Sequence, residues 1–437
     1  MEEALEQDGA LQSLVRHLTR LDIETYLAGG AVRDLLLDFI PSDFDLVCRP
    51  RDVDHLLLAL RVLPGHLDTS SAAMGVFAYH APGGGVFEIA LPRKARSPSL
   101  AYSEFEVAFS CHLSIEEDLQ RRDFNVNAMA WDFAGRRLID PTGGLVSLER
   151  GTFSSLPSRS LREDAVRSLR ALVLCARCDL MPDLECATIL GQAALGIPTL
   201  PSHRVRRELL RVLASPHADN AFRLARTLGV LAILLPALDT AYDFDQHNRH
   251  HHQSLGEHSL AVLASLCSRS QDLPLRLAGL LHDIGKPACA QWSGREMHFP
   301  SHAQVGSKLA EDAMRHWDLD EALIEEVSRL VAEHMFVAPA TPEALPGPRA
   351  HTRRLLLLRL ADEESKGRDC APWEGMLATL GQDADREALR PLAPAHQVSR
   401  AHPWAEHRQR KRRGNWDERA TTRSAKHRRH GQSREGF

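Results

Sequence analysis

The sequence lacks any long hydrophobic run. No stretch of its 437 residues approaches the roughly 18 to 20 consecutive apolar residues that a membrane-spanning helix needs. The first ten residues, MEEALEQDGA, are acidic and lack the basic and apolar segments of a secretory signal peptide. The sequence therefore predicts no membrane association, and we expect a cytoplasmic protein.

Cysteine is sparse and lacks the pattern of a disulfide framework or a zinc site. The eight cysteines are scattered, mostly within apolar stretches of helical spacing, which is typical of a reducing compartment. Cys175 and Cys178 have the spacing of a redox or zinc pair, but no second pair accompanies them. We therefore predict that both lie on a helix and pack in the protein core.

Net positive charge is found only at the end of the chain, since the rest is acidic on balance. Residues 400–437 contain twelve Lys and Arg against four Asp and Glu, which gives +8, whereas the whole chain carries −5. A basic segment on an acidic body indicates a polyanionic partner. A solvated segment is a compatible alternative, because periodicity is lost over residues 391–437 and disorder is expected there.

A glycine pair and two acids lie close together near the N-terminus. Gly29 and Gly30 follow an apolar strand, where they let the backbone approach a ligand and offer N–H groups to phosphate. Arg33, in the first turn of the next helix, adds a cation to such a site. Asp43 and Asp45 alternate on a predicted strand, so both carboxylates project from one face. The pattern predicts a divalent metal and a nucleoside triphosphate, with a solvated turn as the alternative.

Later segments add polar groups of the same kind. Glu88 lies on the second strand of a hairpin and is either a third carboxylate beside the two acids or a surface charge. Arg121 and Arg122 can donate to triphosphate oxygens, and Asn127 to a ribose hydroxyl or base. Taken alone, this arginine pair is equally typical of a charged surface.

Two motifs resemble a known family. Gly29 to Asp34, followed by Asp43 and Asp45, resembles the G-G-x-V-R-D and D-x-D signature of polymerase-beta-type nucleotidyltransferases, in the branch of bacterial CCA-adding enzymes and poly(A) polymerases. Residues 121–128, RRDFNVNA, resemble the family motif R-R-D-F-T-I-N-A, with Asn125 in place of threonine. The resemblance covers residues ~20 to 240 and is specific, because both motifs occur in the family's order.

Glu163, Asp164 and Arg167 resemble the family's base-selecting motif E-D-x-x-R. As helix neighbours, a carboxylate and a guanidinium can together match the hydrogen-bonding edge of C or A; an ordinary surface ion pair is the alternative. Residues 202–210 resemble the next motif, which is expected to brace this helix and touch RNA. The polar segment 93–113 occupies the place of a loop that helps the family switch from C to A, or is a surface excursion.

The resemblance implies a set of roles for the head of the protein. Two Mg²⁺ ions would be held by Asp43 and Asp45, with Glu88 as a third catalytic acid. The implied nucleotide-binding residues are Gly29, Gly30, Arg33, Arg121, Arg122, Asp123, Asn127, Asp164 and Arg167. The implied partners are tRNA, ATP and CTP.

A second set of residues lies between 247 and 370. His258, the adjacent His282 and Asp283, and Asp362 occur in apolar helical segments in the order H…HD…D. Imidazole and carboxylate ligands suit a divalent transition metal, and the order resembles the HD phosphohydrolase superfamily. In that family, His302 and His334 occupy positions of substrate-facing or second-metal histidines. The histidines at 250–252 are expected to form a polar loop.

The predicted architecture has an α+β, polymerase-beta-like head at residues 20–150, an all-α neck at 151–243 and an all-α HD domain at 244–375, followed by the basic segment 391–437. The predicted function is template-independent addition of CCA, or its terminal A, to tRNA, together with metal-dependent hydrolysis of a phosphoester. An A-adding enzyme, a poly(A) polymerase, and an HD hydrolase regulated by an inactive head are the alternatives. The sequence leaves the identity of the HD metal and the oligomeric state open.

Overall fold

The computed structural model describes residues 1–41, 43–93, 109–156, 165–247, 253–335 and 349–380. Asp164, residues 94–108 of the predicted loop, the histidines at 250–252 and the basic segment 391–437 lie outside these ranges. Within them, no helix combines the length and the hydrophobicity of a membrane span.

The head is built on one mixed sheet of seven strands. Its order is β3-β4-β5-β2-β1-β6-β7, and only β2 and β5 pair in parallel. The strands are β1 Glu24–Ala28, β2 Phe44–Arg49, β3 His66–Asp68, β4 Val76–His80, β5 Val86–Ala90, β6 Ala130–Asp132 and β7 Arg137–Ile139. The hairpin predicted around Gly83–Gly85 is confirmed, since it joins β4 to β5.

Six helices surround this sheet: α1 Glu2–Gln7, α2 Gly9–Arg20, α3 Gly30–Leu36, α4 Val53–Arg61, α5 Ile115–Gln120 and α6 Gly144–Arg150. Their starts follow from local chemistry. The Asp8 carboxylate accepts from the Leu11 amide at the start of α2. Ser114 and Glu117 have the sequence spacing of a capping box and form one at the start of α5. These caps place α5 next to the arginine pair that follows it.

The neck is helical. Its helices are α7 Val166–Cys178, α8 Leu184–Ala194, α9 Ser202–Leu213, α10 Ala218–Thr227, α11 Val230–Leu234 and α12 Pro236–Ala241. The two-residue strands β8 Thr152–Phe153 and β9 Met181–Pro182 pair in parallel and join the neck to the head. Cys175 and Cys178 are buried free thiols on α7, which confirms their predicted place in the core.

The third region, described for residues 253–335 and 349–380, is also helical. Its helices are α13 Leu255–Arg269, α14 Leu273–Leu281, α15 His302–His316, α16 Glu321–Glu333, α17 Arg349–Ser365 and α18 Ala371–Leu380. A short hairpin of β10 Gln291–Trp292 and β11 Met297–His298 precedes α15. The predicted fold class of an α+β head followed by helical regions is therefore confirmed.

The neck and the third region are joined by buried polar contacts. The Arg276 guanidinium is fully buried and donates to the carbonyl oxygens of Leu213 and Ser215, at the end of α9. The Trp317 indole N–H donates to the carbonyl oxygen of Leu234 at 2.7 Å. Because these donors satisfy carbonyl groups that helix ends leave unpaired, they fix the joint between the two regions.

Candidate functional site

The acids of the head meet on two adjacent interior strands of the sheet. Asp45 on β2 is the register partner of Glu88 on β5, and Asp43 lies two residues before Asp45. All three side chains are exposed, whereas Leu46 and Ile89, one residue further along each strand, are fully buried. Partial burial and the neighbouring Glu88 carboxylate raise the pKa of Asp45. The three carboxylates predicted from the sequence therefore share one face of the sheet.

Asp45 and Glu88 form one wall of an open cleft of about 450 Å³. Gly29 and Gly30 lie beside it at the start of α3, and Gly29 has a φ of +80°. A Cβ added at Gly29 would collide with the guanidinium of Arg122. Gly29 is therefore needed twice, for its backbone conformation and for the space that Arg122 occupies.

Asp118 organises the arginine pair, and the sequence analysis did not select it. Its carboxylate is 2% exposed, with Arg121 3.0 Å and Arg122 3.1 Å away. Burial by itself raises the pKa of Asp118, but the two guanidinium groups outweigh this effect and hold it below its ordinary value. The spacing of i,i+3 and i,i+4 on a helix could have identified this residue from the sequence. The predicted phosphate-binding arginines are thus held in place by an ionised acid.

Arg33 lies between two head residues. Its guanidinium donates to the Asp34 carboxylate at 2.6 and 3.0 Å and to the Asn127 side-chain oxygen at 2.6 Å. The Asn127 amide nitrogen in turn donates to Asp123 at 3.2 Å. Arg33 and Asn127, both predicted to contact nucleotide, therefore contact each other beside the cleft that they line.

Helix α7 of the neck forms the facing wall of the cleft. Arg167, Arg170 and Arg177 lie on one side of this helix and line the cleft. Arg170 pairs with Asp123 at 3.4 Å, and Arg177 pairs with Asp34 at 2.6 Å. The sequence analysis selected only Arg167, although the spacing of three and seven residues between these arginines indicates one helix face. Its proposed partner Asp164 lies outside the described residues.

Asn125, the departure from the family motif, is buried away from the cleft. Its side-chain nitrogen donates to the Ser147 hydroxyl at 2.7 Å, and its side-chain oxygen accepts from the Ser154 amide at 3.0 Å. The cleft is lined by other residues of this motif. The substitution therefore bears on how the motif is anchored, not on what faces a ligand.

A second group of polar residues lies in the interior of the third region. His258, His282, Asp283, His302, His334 and Asp362 are each less than 9% exposed. Three of the histidines are oriented in the same way: Nδ1 lies 2.7 to 2.9 Å from the carbonyl oxygen three residues earlier, on Gly279, Phe299 and Val331. Because a carbonyl oxygen can only accept, Nδ1 donates, and Nε2 of the neutral ring is an acceptor.

The His258 ring is oriented by a side chain rather than by a carbonyl oxygen. Its Nδ1 lies 3.0 Å from the Ser365 hydroxyl, and that hydroxyl donates to the carbonyl oxygen of Asp362 at 2.7 Å. The serine proton is therefore used, so Nδ1 of His258 donates and its Nε2 faces the acids. All four imidazoles thus present Nε2 to a common centre.

The six residues form two groups of three potential ligands. His258, His282 and Asp362 make up one group, and Asp283, His302 and His334 the other. Asp283 faces both: its Oδ2 lies 3.1 Å from His282 Nε2, and its Oδ1 lies 3.4 Å from His302 Nε2. The Nε2 atoms of His302 and His334 are 3.2 Å apart.

At these distances acceptor atoms face each other: His302 Nε2 faces His334 Nε2, and His282 Nε2 faces the Asp283 carboxylate. His282 Nε2 is buried and has no hydrogen-bond partner among the residues that the structure describes. Burial lowers the pKa of His282, which disfavours the protonated ring that would otherwise relieve the repulsion. Cations placed within the two groups would remove it, and a donor set of imidazole and carboxylate suits a transition metal. The residues present therefore fit the metal site that the sequence predicts.

Three basic side chains, which the sequence analysis did not select, complete this site. Lys286 lies 2.6 Å from Asp283, and Lys366 and Arg359 lie 2.7 and 3.1 Å from Asp362. Lys286 also donates to the Gln246 side-chain oxygen at 2.7 Å. Buried carboxylates require such compensation, so the two acids are ionised and able to bind a metal.

Three family models match the chain. The poly A polymerase head domain matches residues 25–154, a domain described as the probable RNA and SrmB-binding site of polymerase A matches residues 185–242, and the HD domain matches residues 255–367. The acids and arginines of the head fall within the first of these matches, and the six buried ligands of the third region fall within the last. The arginines of α7 lie between the first match and the second.

Curated relatives resemble most of the chain. The A-adding tRNA nucleotidyltransferase of Deinococcus radiodurans is 33% identical over 354 residues, which cover 78% of this chain and 76% of that protein. The CC-adding tRNA nucleotidyltransferase of Thermus thermophilus is 31% identical over 77% of this chain and 72% of that protein. The multifunctional CCA protein of Nitrosospira multiformis is 32% identical, and here the match spans less than two thirds of the relative, at 62%, and 60% of this chain.

Solved structures share the fold. The CCA-adding enzyme of Bacillus stearothermophilus in complex with CTP superposes with a TM-score of 0.60 at 22% identity, covering 87% of this chain and 82% of that one. A CCA-adding enzyme in complex with ATP gives a TM-score of 0.53 at 19% identity, covering 90% and 87%. At these identities the similarity describes the fold of the chain.

Proposed function

The chain belongs to the class II tRNA nucleotidyltransferase and poly(A) polymerase family, and from this premise we propose that it adds CCA, or the terminal A alone, to the 3′ end of tRNA. The observation that carries the proposal is the cleft in which the exposed Asp45 and Glu88 face the arginines of two regions. A metal–triphosphate complex needs acids on one side and cations on the other.

Asp43 and Asp45 are the proposed metal ligands of the head, with Glu88 as a third acid. An all-oxygen donor set suits Mg²⁺, which would neutralise the triphosphate and favour attack by the 3′ hydroxyl of the RNA. The exposure of these carboxylates supports the assignment, because Mg²⁺ keeps several water ligands and binds together with the phosphates.

Arg33, Arg121 and Arg122 are the proposed phosphate-binding groups. Asp118 holds the last two by one carboxylate oxygen each, which leaves further N–H groups of each guanidinium able to donate to phosphate oxygens. The Gly29–Gly30 turn allows a phosphate to approach the backbone next to Arg122. These residues therefore bind and orient the triphosphate without taking part in proton transfer.

Arg167 and Asp164 are the proposed base-selecting pair, and Arg167 lies on the neck wall of the cleft. The guanidinium would donate to the ring nitrogen or keto oxygen of the base, and the carboxylate would accept from its exocyclic amino group. Such a pair selects C and A over U and G. Selection of the base by protein side chains requires no nucleic-acid template.

The relatives divide into A-adding, CC-adding and multifunctional CCA proteins. Purified protein is therefore incubated with tRNA that ends before CCA, after its first C, and after CC, with CTP alone, ATP alone or both. A CCA-adding enzyme completes all three, and an A-adding enzyme extends only tRNA ending in CC. A poly(A) polymerase adds more than one A. If no nucleotide is transferred to any of the three tRNAs, the proposal is overturned.

A second function is proposed for the third region. The two groups of inward-facing ligands around Asp283 fit a metal-dependent phosphohydrolase of the HD type. Bound transition metals would polarise a phosphoester and lower the pKa of a bound water. Lys286, adjacent to Asp283, is placed to contact a substrate phosphate. The proposed substrate is a 2′,3′-cyclic phosphate or a nucleoside monophosphate at a damaged RNA end.

This function has a direct test. Protein purified without chelator is analysed for Mn, Fe, Co, Ni and Zn, and assayed on 2′,3′-cyclic nucleotides and on an RNA with a 3′-terminal phosphate. The proposal expects bound transition metal and hydrolysis that a chelator abolishes. Metal-free protein that also stays inactive after metal is added would contradict it. Hydrolysis without any tRNA extension would favour an HD hydrolase with an inactive head.

The finer details of metal identity, partners and location rest on the same premise. Mg²⁺ in the head, a transition metal in the third region, and tRNA, ATP and CTP as ligands are the proposed assignments. The domain limits and the cytoplasmic location inferred from the sequence stay predictions.

A further inference from the structure

Arg177 connects the neck to the nucleotide cleft through the interior of the head. Its guanidinium pairs with Oδ2 of Asp34 at 2.6 Å, while both Nε and Nη2 of Arg33 donate to Oδ1 of the same carboxylate. Arg33 then donates through Nη1 to the side-chain oxygen of Asn127 at 2.6 Å. Arg177 is therefore connected to Arg33 through one carboxylate, and to Asn127 through that carboxylate and the Arg33 guanidinium.

The connection returns to the helix where it began. The Asn127 amide nitrogen donates to Oδ1 of Asp123 at 3.2 Å, and Oδ2 of Asp123 pairs with Arg170 at 3.4 Å. Arg170 and Arg177 are seven residues apart on α7, which places them on one face about two turns apart. The six side chains form a circuit, which we define as Arg177, Asp34, Arg33, Asn127, Asp123 and Arg170.

Each contact in this circuit joins a donor to an acceptor. The Asn127 amide accepts from Arg33 with its oxygen and donates to Asp123 with its nitrogen. Reversing the amide would place a donor against the guanidinium and an acceptor against the carboxylate, so its partners fix its orientation. Such a network defines a single arrangement of the polar groups that line the cleft.

The circuit is strongest where Arg177 enters it. The side chains of Asp34 and Arg177 are 5% and 21% exposed, whereas Arg170 at the other end is 43% exposed and its contact is longer. Ion pairs lose strength with solvent exposure and distance, so the Arg177 contact is the one that holds α7 against the head.

We propose that Arg177 is a positioning residue for nucleotide selection, an inference that rests on the proposed transferase function. The phosphate- and metal-binding groups lie on the head, and Arg167 lies on α7, ten residues or ~15 Å from Arg177 along the helix. Selection of a base requires both walls to be in register with one nucleotide. The pair between Arg177 and Asp34 sets this register and, through Arg33, the orientation of Asn127.

Loss of the Arg177 guanidinium has a specific consequence. Asp34 keeps its contact with Arg33, so no buried charge is left unpaired, and the variant is expected to fold. Its Oδ2 atom becomes available, however, and Arg33 can then turn to the two-pronged arrangement that guanidinium and carboxylate favour. That rotation draws Nη1 away from Asn127 and releases α7 from the head.

The test compares Arg177→Gln with Arg177→Lys, in which a single cation can still reach Asp34. Initial rates with tRNA give kcat and KM for CTP, ATP, UTP and GTP, and equilibrium binding of ATP and CTP is measured without tRNA. For Arg177→Gln we expect a higher KM for the natural nucleotides and roughly tenfold weaker selection against UTP and GTP, because small misplacements of reacting groups are costly. Arg177→Lys recovers part of the selectivity.

Arg223→Gln is the matched control. Arg223 also belongs to a neck helix and pairs with two acids, Asp219 at 2.6 Å and Glu257 at 3.1 Å. The Arg223→Gln variant should have a lower melting temperature, as Arg177→Gln should, but its nucleotide affinity and selectivity should be unchanged. Wild-type selectivity and nucleotide binding in Arg177→Gln overturn the inference, whereas absence of transfer in the wild-type protein overturns the proposed function.

Discussion

The carboxylates of the two candidate sites differ in their exposure to solvent. In the head, Asp43, Asp45 and Glu88 are exposed, whereas Asp283 and Asp362 of the third region are 2% and 3% exposed. An exposed carboxylate keeps its water until a metal arrives with the substrate. A buried one has lost that water and depends on permanent cations. The head is thus suited to exchange its metal with each nucleotide, and the third region to retain its metal.

The sites also differ in how they are assembled. The cleft of the head joins residues that are far apart in the sequence, such as Arg177 and Asp34. Three histidines of the third region are instead oriented by a carbonyl oxygen only three residues earlier. The cleft therefore depends on the contact between head and neck, and the histidines depend largely on their own helix ends.

The largest expected effect separates the two activities. Asp43→Ala combined with Asp45→Ala removes the proposed metal ligands of the head, so nucleotidyl transfer should fall by about a thousandfold or more. Hydrolysis by the third region should be unchanged, since it uses separate residues. Parallel transfer and hydrolysis assays on one preparation provide the measurement. Loss of both activities, or of neither, contradicts the model of two independent sites.

The second prediction concerns retained metal. Asp283→Asn should abolish hydrolysis and remove most of the bound metal, because Asp283 faces both groups of ligands. His334→Ala, which affects only one group, should remove about half of it. Elemental analysis of proteins purified in parallel measures the metal. Equal loss in the two variants would contradict the shared position of Asp283, and tRNA extension serves as the control activity.

A smaller effect is expected for the carboxylate that holds the arginine pair. Asp118→Asn keeps the size of the side chain but removes the charge that Arg121 and Arg122 share. We expect the KM for ATP and CTP to rise about tenfold, because the two guanidinium groups are no longer preorganised. Glu116→Gln, an exposed substitution on the same helix, is the control. Unchanged KM values in Asp118→Asn would count against its role.

The last prediction concerns stability rather than activity, at the glycine beside the cleft. Gly29→Ala imposes an unfavourable backbone conformation and a collision with Arg122, and should lower the free energy of unfolding by about 2–3 kcal/mol. Gly143→Ala meets no atom within 4 Å and has an ordinary left-handed conformation, so it should cost only about 1 kcal/mol. Chemical denaturation measures both. A larger loss for Gly143→Ala would contradict the argument.

The sequence predicted the local elements of both sites well. A glycine pair, alternating acids and a capping box each act within a few residues, and the structure places Gly29, Asp45 and Ser114 as those patterns indicate. The second site could be read from the order of its histidines and acids. The resemblance to known families supplied the roles that the residues alone left open, including that of Glu88.

Other parts of the sites were missed. Asp118 was visible in principle from its helix spacing to two arginines. The partners of Asp34 and Lys366 were not, although Asp34 closes the motif that begins at Gly29. Both side chains are mostly buried next to a group of opposite charge, which is Arg177 for Asp34 and Asp362 for Lys366. Their importance follows from burial, which a single sequence does not reveal.

By itself, the sequence supplied the candidate site residues. It also determined which of them share a strand or helix face, because that relation follows from the fixed periods of backbone structure. Only the tertiary structure decided which charges compensate one another. It placed Arg177 of the neck on Asp34 of the head. It also pointed the Nε2 atoms of four histidines at Asp283, and two of these histidines face Asp362 as well. Those pairings depend on distances between distant segments, and they decide which buried charges the fold can support.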